Sequence, residues 1–263
     1  MALAEAGRPS LATGLTPRPA PMLGAMYSDD AVAALYEVLN PWGASDDFYL
    51  GLVMEGESVL DVGCGPGTIL RRAREAGHSG RLCGLDPDLA ALGVASRRTD
   101  VEWVAGTAAS MTWDGEFDLA IMSGHAFQVL VDDDELRASL AAIRRALARG
   151  GRFAFETRNP LARAWEDWNP ASPIEVVDPS GRPLRIWYEV ESVAGDVVTL
   201  TETTGDRNGA ILRMDRGSLR FLDVAMLDRF LHDADLQVEA RYGGWLREPF
   251  EPASAEIVTI AGT

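Results

Sequence analysis

Hydrophobic positions change their spacing along the chain. Up to residue 160, short apolar runs alternate with segments whose apolar side chains recur every three or four residues. From 173 to 221 the recurrence is every second residue. The first regime predicts β-α steps and the second predicts antiparallel strands. Val59, Leu60 and Val62 make the β-branched, apolar run of a central parallel strand. Ile69, Leu70, Ala73 and Ala76 mark the helix behind it. Residues 81–86, 101–106, 117–123 and 152–157 read as the second to fifth strands. Between the last two, a helix carries Leu136, Leu140, Ile143 and Leu147 on one face, opposite Arg137, Arg144 and Arg145. Gly150-Gly151 are expected to stop that helix.

The flanks complete the outline. Residues 27–52 read as helical with a break at Asn40-Pro41, giving a helical cap over 25–55 that covers the open end of the sheet. Residues 173–177, 184–193, 197–204 and 210–221 are strand-like and separated by turn-forming Asp, Pro, Gly and Asn. They predict an antiparallel insertion, a lid over 173–221. A helix at 224–231 and strands at 236–242 and 256–260 close the sheet. The expected fold is α/β: a doubly wound, Rossmann-like seven-stranded sheet with its last strand antiparallel, in one domain over 25–263. Residues 1–24, rich in Ala, Pro and Gly, are expected to be a disordered tail. Their interruptions break up the apolar core of ~7–15 residues that a secretory signal needs.

Chemistry concentrates where the first strand ends. Asp61-Val62-Gly63-Cys64-Gly65-Pro66-Gly67 leads from strand to helix with glycine at alternate positions. Such glycines let the backbone turn sharply and approach a ligand, and the helix N-terminus points at the same crevice. A dinucleotide fingerprint, G-x-G-x-x-G, would place glycine at 68, where Thr68 stands. Asp61 is also awkward beside a pyrophosphate and suits a ligand with a cationic end. Asp86 closes the second strand 19 residues after Gly67, near the spacing at which a carboxylate accepts hydrogen bonds from ribose hydroxyls.

The pattern D-x-G-x-G-x-G resembles motif I of the class I S-adenosylmethionine (SAM) dependent methyltransferases, and the match extends over 27–160 and the last two strands. The resemblance implies SAM as cofactor and S-adenosylhomocysteine as product. Asp61, Gly63, Gly65 and Gly67 would hold the methionine portion, Asp86 with Pro87 the ribose, Thr107-Ala108 the adenine, and Ser123 the sulfonium side. Thr107 stands where the family usually has an acid. Three further segments are similar to glycine and sarcosine N-methyltransferase-type enzymes. They are Tyr27 with Tyr36, which would face the methionine end; Ile121 to Phe127, where Gly124 and His125 would face the acceptor; and Thr157-Arg158-Asn159, whose Arg158 would hold a substrate carboxylate. His125 is the candidate base, since an imidazole titrates near neutrality. The alternative reading is that His125 only hydrogen-bonds substrate or backbone.

Composition narrows the acceptor. The 263 residues carry a formal charge of −16, which repels phosphate backbones and anionic lipid and argues against nucleic-acid and membrane partners. No apolar run is long enough to span a bilayer, and a cytoplasmic location is expected. Cys64 and Cys83 read as small buried residues rather than a disulfide. Asp132-Asp133-Asp134 read as a helix N-terminal turn, and no metal is expected. His78 and His232 are expected at the surface. Trp42, Trp165, Trp168 and Trp187 either line a pocket or pack the cap. The resulting expectation is methyl transfer by in-line displacement to a nitrogen or oxygen of a small metabolite or natural product. A SAM-binding protein that does not methylate, whether regulatory, isomerase or cyclase, and a methyltransferase acting on a basic protein remain as alternatives.

Overall fold

The computed structural model describes residues 35, 36, 38–178 and 180–263; the expected tail over 1–24 and Tyr27 lie outside them. Leu35, Tyr36, Val38 and Leu39 are helical, and the chain breaks at Asn40-Pro41 as expected before α1 (Ala44–Glu55). The β-α steps follow: β1 (Ser58–Val62), α2 (Thr68–Glu75), β2 (Arg81–Asp86), α3 (Leu89–Ala95), β3 (Glu102–Ala105), β4 (Phe117–Met122), α4 (Asp133–Ala146) and β5 (Leu147–Arg158). The insertion is β6 (Ile174–Val177), β7 (Pro183–Ala194), β8 (Val197–Asp206) and β9 (Ile211–Arg220); α5 (Val224–Asp233), β10 (Gln237–Tyr242) and β11 (Glu256–Gly262) close the chain.

Seven strands form one sheet in the order β10-β11-β5-β4-β1-β2-β3. Strands β1 to β5 pair in parallel, and β11 runs antiparallel to both neighbours. Successive side chains on the central strands point to opposite faces, so each strand feeds two cores. Val59, Leu119 and Ile121 pack with Leu52, Val53 and Leu70 on one face. Leu60, Ala120 and Met122 pack with Leu136, Ile143 and Phe230 on the other. The result is helix, sheet, helix in three layers. Asp132 caps α4 by accepting from the Asp134 and Glu135 amides at 2.9 and 3.0 Å. Three acids in the first turn of α4 and two arginines in the last match its dipole.

The insertion forms a second sheet, ordered β6-β7-β8-β9 and antiparallel throughout. Ile186, Tyr188, Val198, Leu200 and Leu219 cover its inner face with Leu39 and Trp168. Arg220, 8% exposed, ties this sheet to α4 through Asp133 at 2.7 Å, and also pairs with Asp196 at 2.8 Å. Gln128 adds a bond from its side-chain amide to the Arg220 carbonyl at 2.9 Å.

Two expectations need correction. The helix before the fifth strand does not run to Gly150-Gly151; it ends at Ala146 and passes directly into β5, where Leu147 pairs with Phe117. Gly150, at φ 78°, lies in the register irregularity that follows. His78 is buried rather than at the surface, held by the Gly56 carbonyl at 2.7 Å from its Nε2; His232 is exposed.

Candidate active site

Strands β1, β4 and β5 end side by side, and a cavity opens over their carboxyl ends. Strand order reverses between β1 and β4, the usual position of a ligand crevice in a doubly wound sheet. The turn after β1 brings Gly63 and Cys64 to the cavity, with Asp61 beneath; the turn after β4 brings Ser123, Gly124 and His125; β5 brings Glu156. Asp46 and Tyr49 of α1, together with Tyr36, close one side. Ile174 and Tyr188 reach in from the second sheet, and Trp245 from the loop after β10.

The glycine turn is built for approach. Gly63, Gly65 and Gly67 have φ of 76°, 53° and 76°, values that side-chain-bearing residues seldom adopt. A Cβ on Gly67 would also come within 2.3 Å of Trp103, so packing beneath the turn requires this glycine as well. Over Gly65 no atom lies within 4 Å of the Cβ position, leaving that side open. Asp86 braces the turn: its carboxylate oxygens accept from the Gly65 amide at 2.7 Å and the Asp88 amide at 2.8 Å. The Gly106 amide bonds to the Asp86 carbonyl at 3.0 Å, which brings the Thr107 loop alongside. Pro87 and Thr107 are exposed and Ala108 is buried beneath them.

The cavity itself is acidic. Asp61 is 1% exposed, and its Oδ1 has no hydrogen-bond partner. Burial first, then the charges of Asp86 and Glu156, push its pKa up to about 8. Glu156 is equally buried and accepts from the Tyr49 hydroxyl and from the His125 amide, the latter at 2.6 Å. Burial raises its pKa, against the opposing influence of His125 and Tyr49. Tyr36 is pushed up to about 12, chiefly by burial and then by Asp46, Asp61, Asp86 and Glu156. His125 Nε2 lies 3.0 Å from Glu256 Oε2.

The structure therefore gathers Tyr36, Asp61, Gly63, Ser123, Gly124 and His125 at one cavity. Gly65, Gly67, Asp86, Pro87, Thr107 and Ala108 form an adjoining shelf that does not line it. Arg158 is placed behind the cavity. It is wholly buried, donates from Nη1 to Gln128 at 2.8 Å, and lies over the Trp168 ring at 5.3 Å. Burial lowers its pKa to about 10, against the raising influence of Glu256, Glu156 and Tyr188. The expected grip on an acceptor's carboxylate is not met by this placement, because the guanidinium does not reach the cavity. None of Trp42, Trp165, Trp168 and Trp187 lines it either. Tyr49, Glu156, Tyr188, Trp245 and Glu256 escaped the sequence reading. For Glu156 a signal existed: a lone acid in the apolar run Phe153-Ala154-Phe155 requires a buried partner.

Comparison with known proteins agrees with this architecture. A methyltransferase-domain family profile matches residues 59–151. The cypemycin N-terminal methyltransferase of Streptomyces sp is 32% identical over 214 residues, spanning 79% of this chain and 83% of the relative. Among solved structures, a SAM-dependent methyltransferase from Clostridium acetobutylicum superposes with a TM-score of 0.71 at 15% identity, covering 88% of this chain and 97% of the other. A SAM-bound amino pentose methyltransferase from Micromonospora echinaspora gives 0.65 at 22%, covering 90% and 98%. The chain belongs to the SAM-dependent methyltransferases, with the class I fold. It is accordingly an enzyme whose methyl donor is SAM. The orphaned Asp61 oxygen and the open face of Gly65 fit a donor with a cationic methionine end. Among the described residues, no helix is long and apolar enough to cross a membrane.

Proposed function

We propose that this methyltransferase acts on the nitrogen of a small molecule whose amine enters the cavity as a cation. One observation carries the reading: Asp46, Asp61 and Glu156 line the cavity, and among the described residues no lysine or arginine does. An acidic, partly aromatic enclosure favours a cation over a carboxylate or a neutral alcohol. The name of the Streptomyces relative, which places its transfer at an N-terminus, supports the same preference.

When bound, SAM supplies an electrophilic methyl on a positively charged sulfur. Asp61, Gly63, Tyr36 and Ser123 would hold its methionine side, Asp86 and Pro87 the ribose, and Thr107 and Ala108 the adenine. The remaining work belongs to the acceptor side. Glu156 draws in the ammonium, and the aromatic side chains Tyr49, Tyr188 and Trp245 exclude water around it. An ammonium has no lone pair, so it must lose a proton before it can attack; His125 takes that proton. Alignment of amine and methyl supplies most of the remaining acceleration. The second sheet acts as a lid, reaching the cavity through Ile174 and Tyr188.

The test is a matched acceptor panel. Purified protein is incubated with SAM and primary amines alongside their alcohol and acid counterparts, benzylamine, benzyl alcohol and benzoic acid among them, and S-adenosylhomocysteine is measured. Turnover confined to the amines is expected. Turnover of the alcohols or acids in preference to their amine counterparts would overturn the reading.

A further inference from the structure

We propose that Glu256 is a positioning residue for methyl transfer, holding His125 as the ring tautomer able to accept the amine's proton. This rests on the reading of His125 as the base. Glu256 opens β11, 131 residues from His125 in sequence, and its Oε2 lies 3.0 Å from His125 Nε2. A carboxylate has no proton to give, so Nε2 carries the hydrogen and donates it. The ring's remaining lone pair is then on Nδ1.

The backbone under the ring is fixed too. His125 has φ 61°, in the left-handed region that non-glycine residues seldom occupy. Its amide donates to Glu156 Oε1 at 2.6 Å. Two glutamates from adjacent antiparallel strands thus hold one residue, Glu156 by its backbone and Glu256 by its ring. A role confined to orienting substrate would not need the ring nitrogen committed to a second, buried carboxylate.

Glu256 from β11 and Glu156 from β5 bond His125 directly, and the charged and titratable groups around those two glutamates come from several elements: Arg158 from β5, Tyr49 from α1 and, beside Glu156, Asp61 from β1. Arg158 stands opposite Glu256 in the β5–β11 register, wholly buried, where it supplies the compensating positive charge. The proton that leaves the amine passes to Nδ1. The resulting imidazolium sits against Glu256 and returns its proton to water when product leaves. The net exchange is N–H for N–CH3 with one proton released to solvent. In this arrangement Arg158 serves the base from behind instead of binding acceptor.

The test uses full-length protein labelled with 15N-histidine and saturated with S-adenosylhomocysteine. The chain has three histidines, so the H125Q spectrum assigns the His125 resonances directly. The expected wild-type result is a proton on Nε2, hydrogen-bonded and slow to exchange with solvent. E256Q should lose at least ~10-fold of that protection, since a neutral amide replaces the charge-assisted acceptor, while S-adenosylhomocysteine affinity by calorimetry stays within ~2-fold. A proton on Nδ1 in the wild type would overturn the proposal without any variant, and so would undiminished protection in E256Q. Turnover of benzylamine separates the two readings. E256Q should lower kcat ~10-fold or more with KM for SAM unchanged, and adding it to H125Q should cost little further. Full turnover in E256Q beside a slow H125Q removes Glu256 and leaves the base reading intact. Full turnover in H125Q removes the base itself, and the positioning role with it.

Discussion

Replacing Asp61 with asparagine separates the charge at the bottom of the cavity from its shape. Asp61 is 1% exposed, lacks a partner at Oδ1, and is pushed up to about 8 by burial and by the neighbouring Asp86 and Glu156. Raising a carboxyl from 3.8 to about 8 makes its ionised form costly by ~6 kcal/mol, at ~1.36 kcal/mol per unit. A cationic ligand that needs the carboxylate must therefore expel a proton when it binds at neutral pH. With a midpoint of about 8, the ionised fraction is ~0.01 at pH 6 and ~0.5 at pH 8. SAM should bind the wild-type protein more tightly across that interval. The α-amino group of SAM itself titrates near the upper end, but it does so equally for the variant, so the ratio of the two dissociation constants is the quantity to follow. The penalty of Asp61→Asn should grow ~50-fold from pH 6 to pH 8. Calorimetry in buffers of different ionisation enthalpy should also show ~0.9 proton released per SAM bound at pH 7 for the wild type, and far less for the variant. A ratio constant with pH, together with buffer-independent enthalpies, would refute the reasoning.

Other consequences follow from the same geometry. Asp61 and Glu156 both have raised folded-state pKa values, so their contribution to stability is full below the ordinary carboxylate range and is lost as pH rises, for Asp61 through about 8. Ligand-free protein should lose ~2–3 kcal/mol from Asp61 between pH 6 and 8.5, read as a falling Tm; a Tm that rises over this interval would contradict it. Asp86→Ala removes the acceptor for the Gly65 and Asp88 amides as well as the proposed ribose contact, and should weaken SAM binding by ~1.5–3 kcal/mol. Unchanged affinity in a folded variant would take Asp86 out of the site. Gly67→Ala brings a Cβ to 2.3 Å from Trp103 at a positive φ, and should destabilise the fold by ~2 kcal/mol or more. Adding Trp103→Leu should recover part of that loss, and no recovery would show that backbone strain alone is responsible.

What could be read from the chain divides by contact range. Asp61 to Gly67 is contiguous, and strand, turn and helix each leave a local mark there. The same holds for the insertion, whose four strands were legible because a period of two and polar turns need no tertiary information. The α4–β5 junction was misplaced because Leu147 satisfies both patterns, as the next apolar position of the helix and as the first pairing residue of the strand. Tertiary pairing decides between them. The contacts around His125 were less accessible still. Tyr49 meets Glu156 across 107 residues, and His125 meets Glu256 across 131. Neither separation leaves a periodic trace: Tyr49 reads as one more apolar position of its helix and His125 lies in a turn, so that only Glu156 stands out, as an acid in an apolar run. Arg158 carried the opposite hazard. Its place at the end of the fifth strand is compatible with a ligand, but its side chain enters the layer between the two sheets, over Trp168.

The buried acids have a consequence for how stability and function are divided in this protein. Asp61, Glu156 and Glu256 lie close enough for their charges to act on common neighbours, and each is less than a tenth exposed. Apolar residues of similar volume in their place would often stabilise the fold, since desolvating a carboxylate is costly unless it is fully paired. Arg158 is wholly buried beside them and offsets part of their charge, while the Tyr49 hydroxyl and the His125 amide satisfy Glu156 without neutralising it. The cluster therefore remains short of positive charge. A ligand-free enzyme can relieve that shortage by keeping Asp61 protonated, which is the direction of its shift. A sulfonium donor and the proposed ammonium acceptor would relieve it in another way, each bringing a charge to the carboxyl end of the sheet. The two ligands then gain from a feature that opposes folding in their absence, and their binding is linked to proton release. Replacing Asp61 with an apolar residue should accordingly improve the empty fold while removing the reason for a cation to enter, whereas the same change at Glu156 would leave the Tyr49 hydroxyl and the His125 amide without an acceptor.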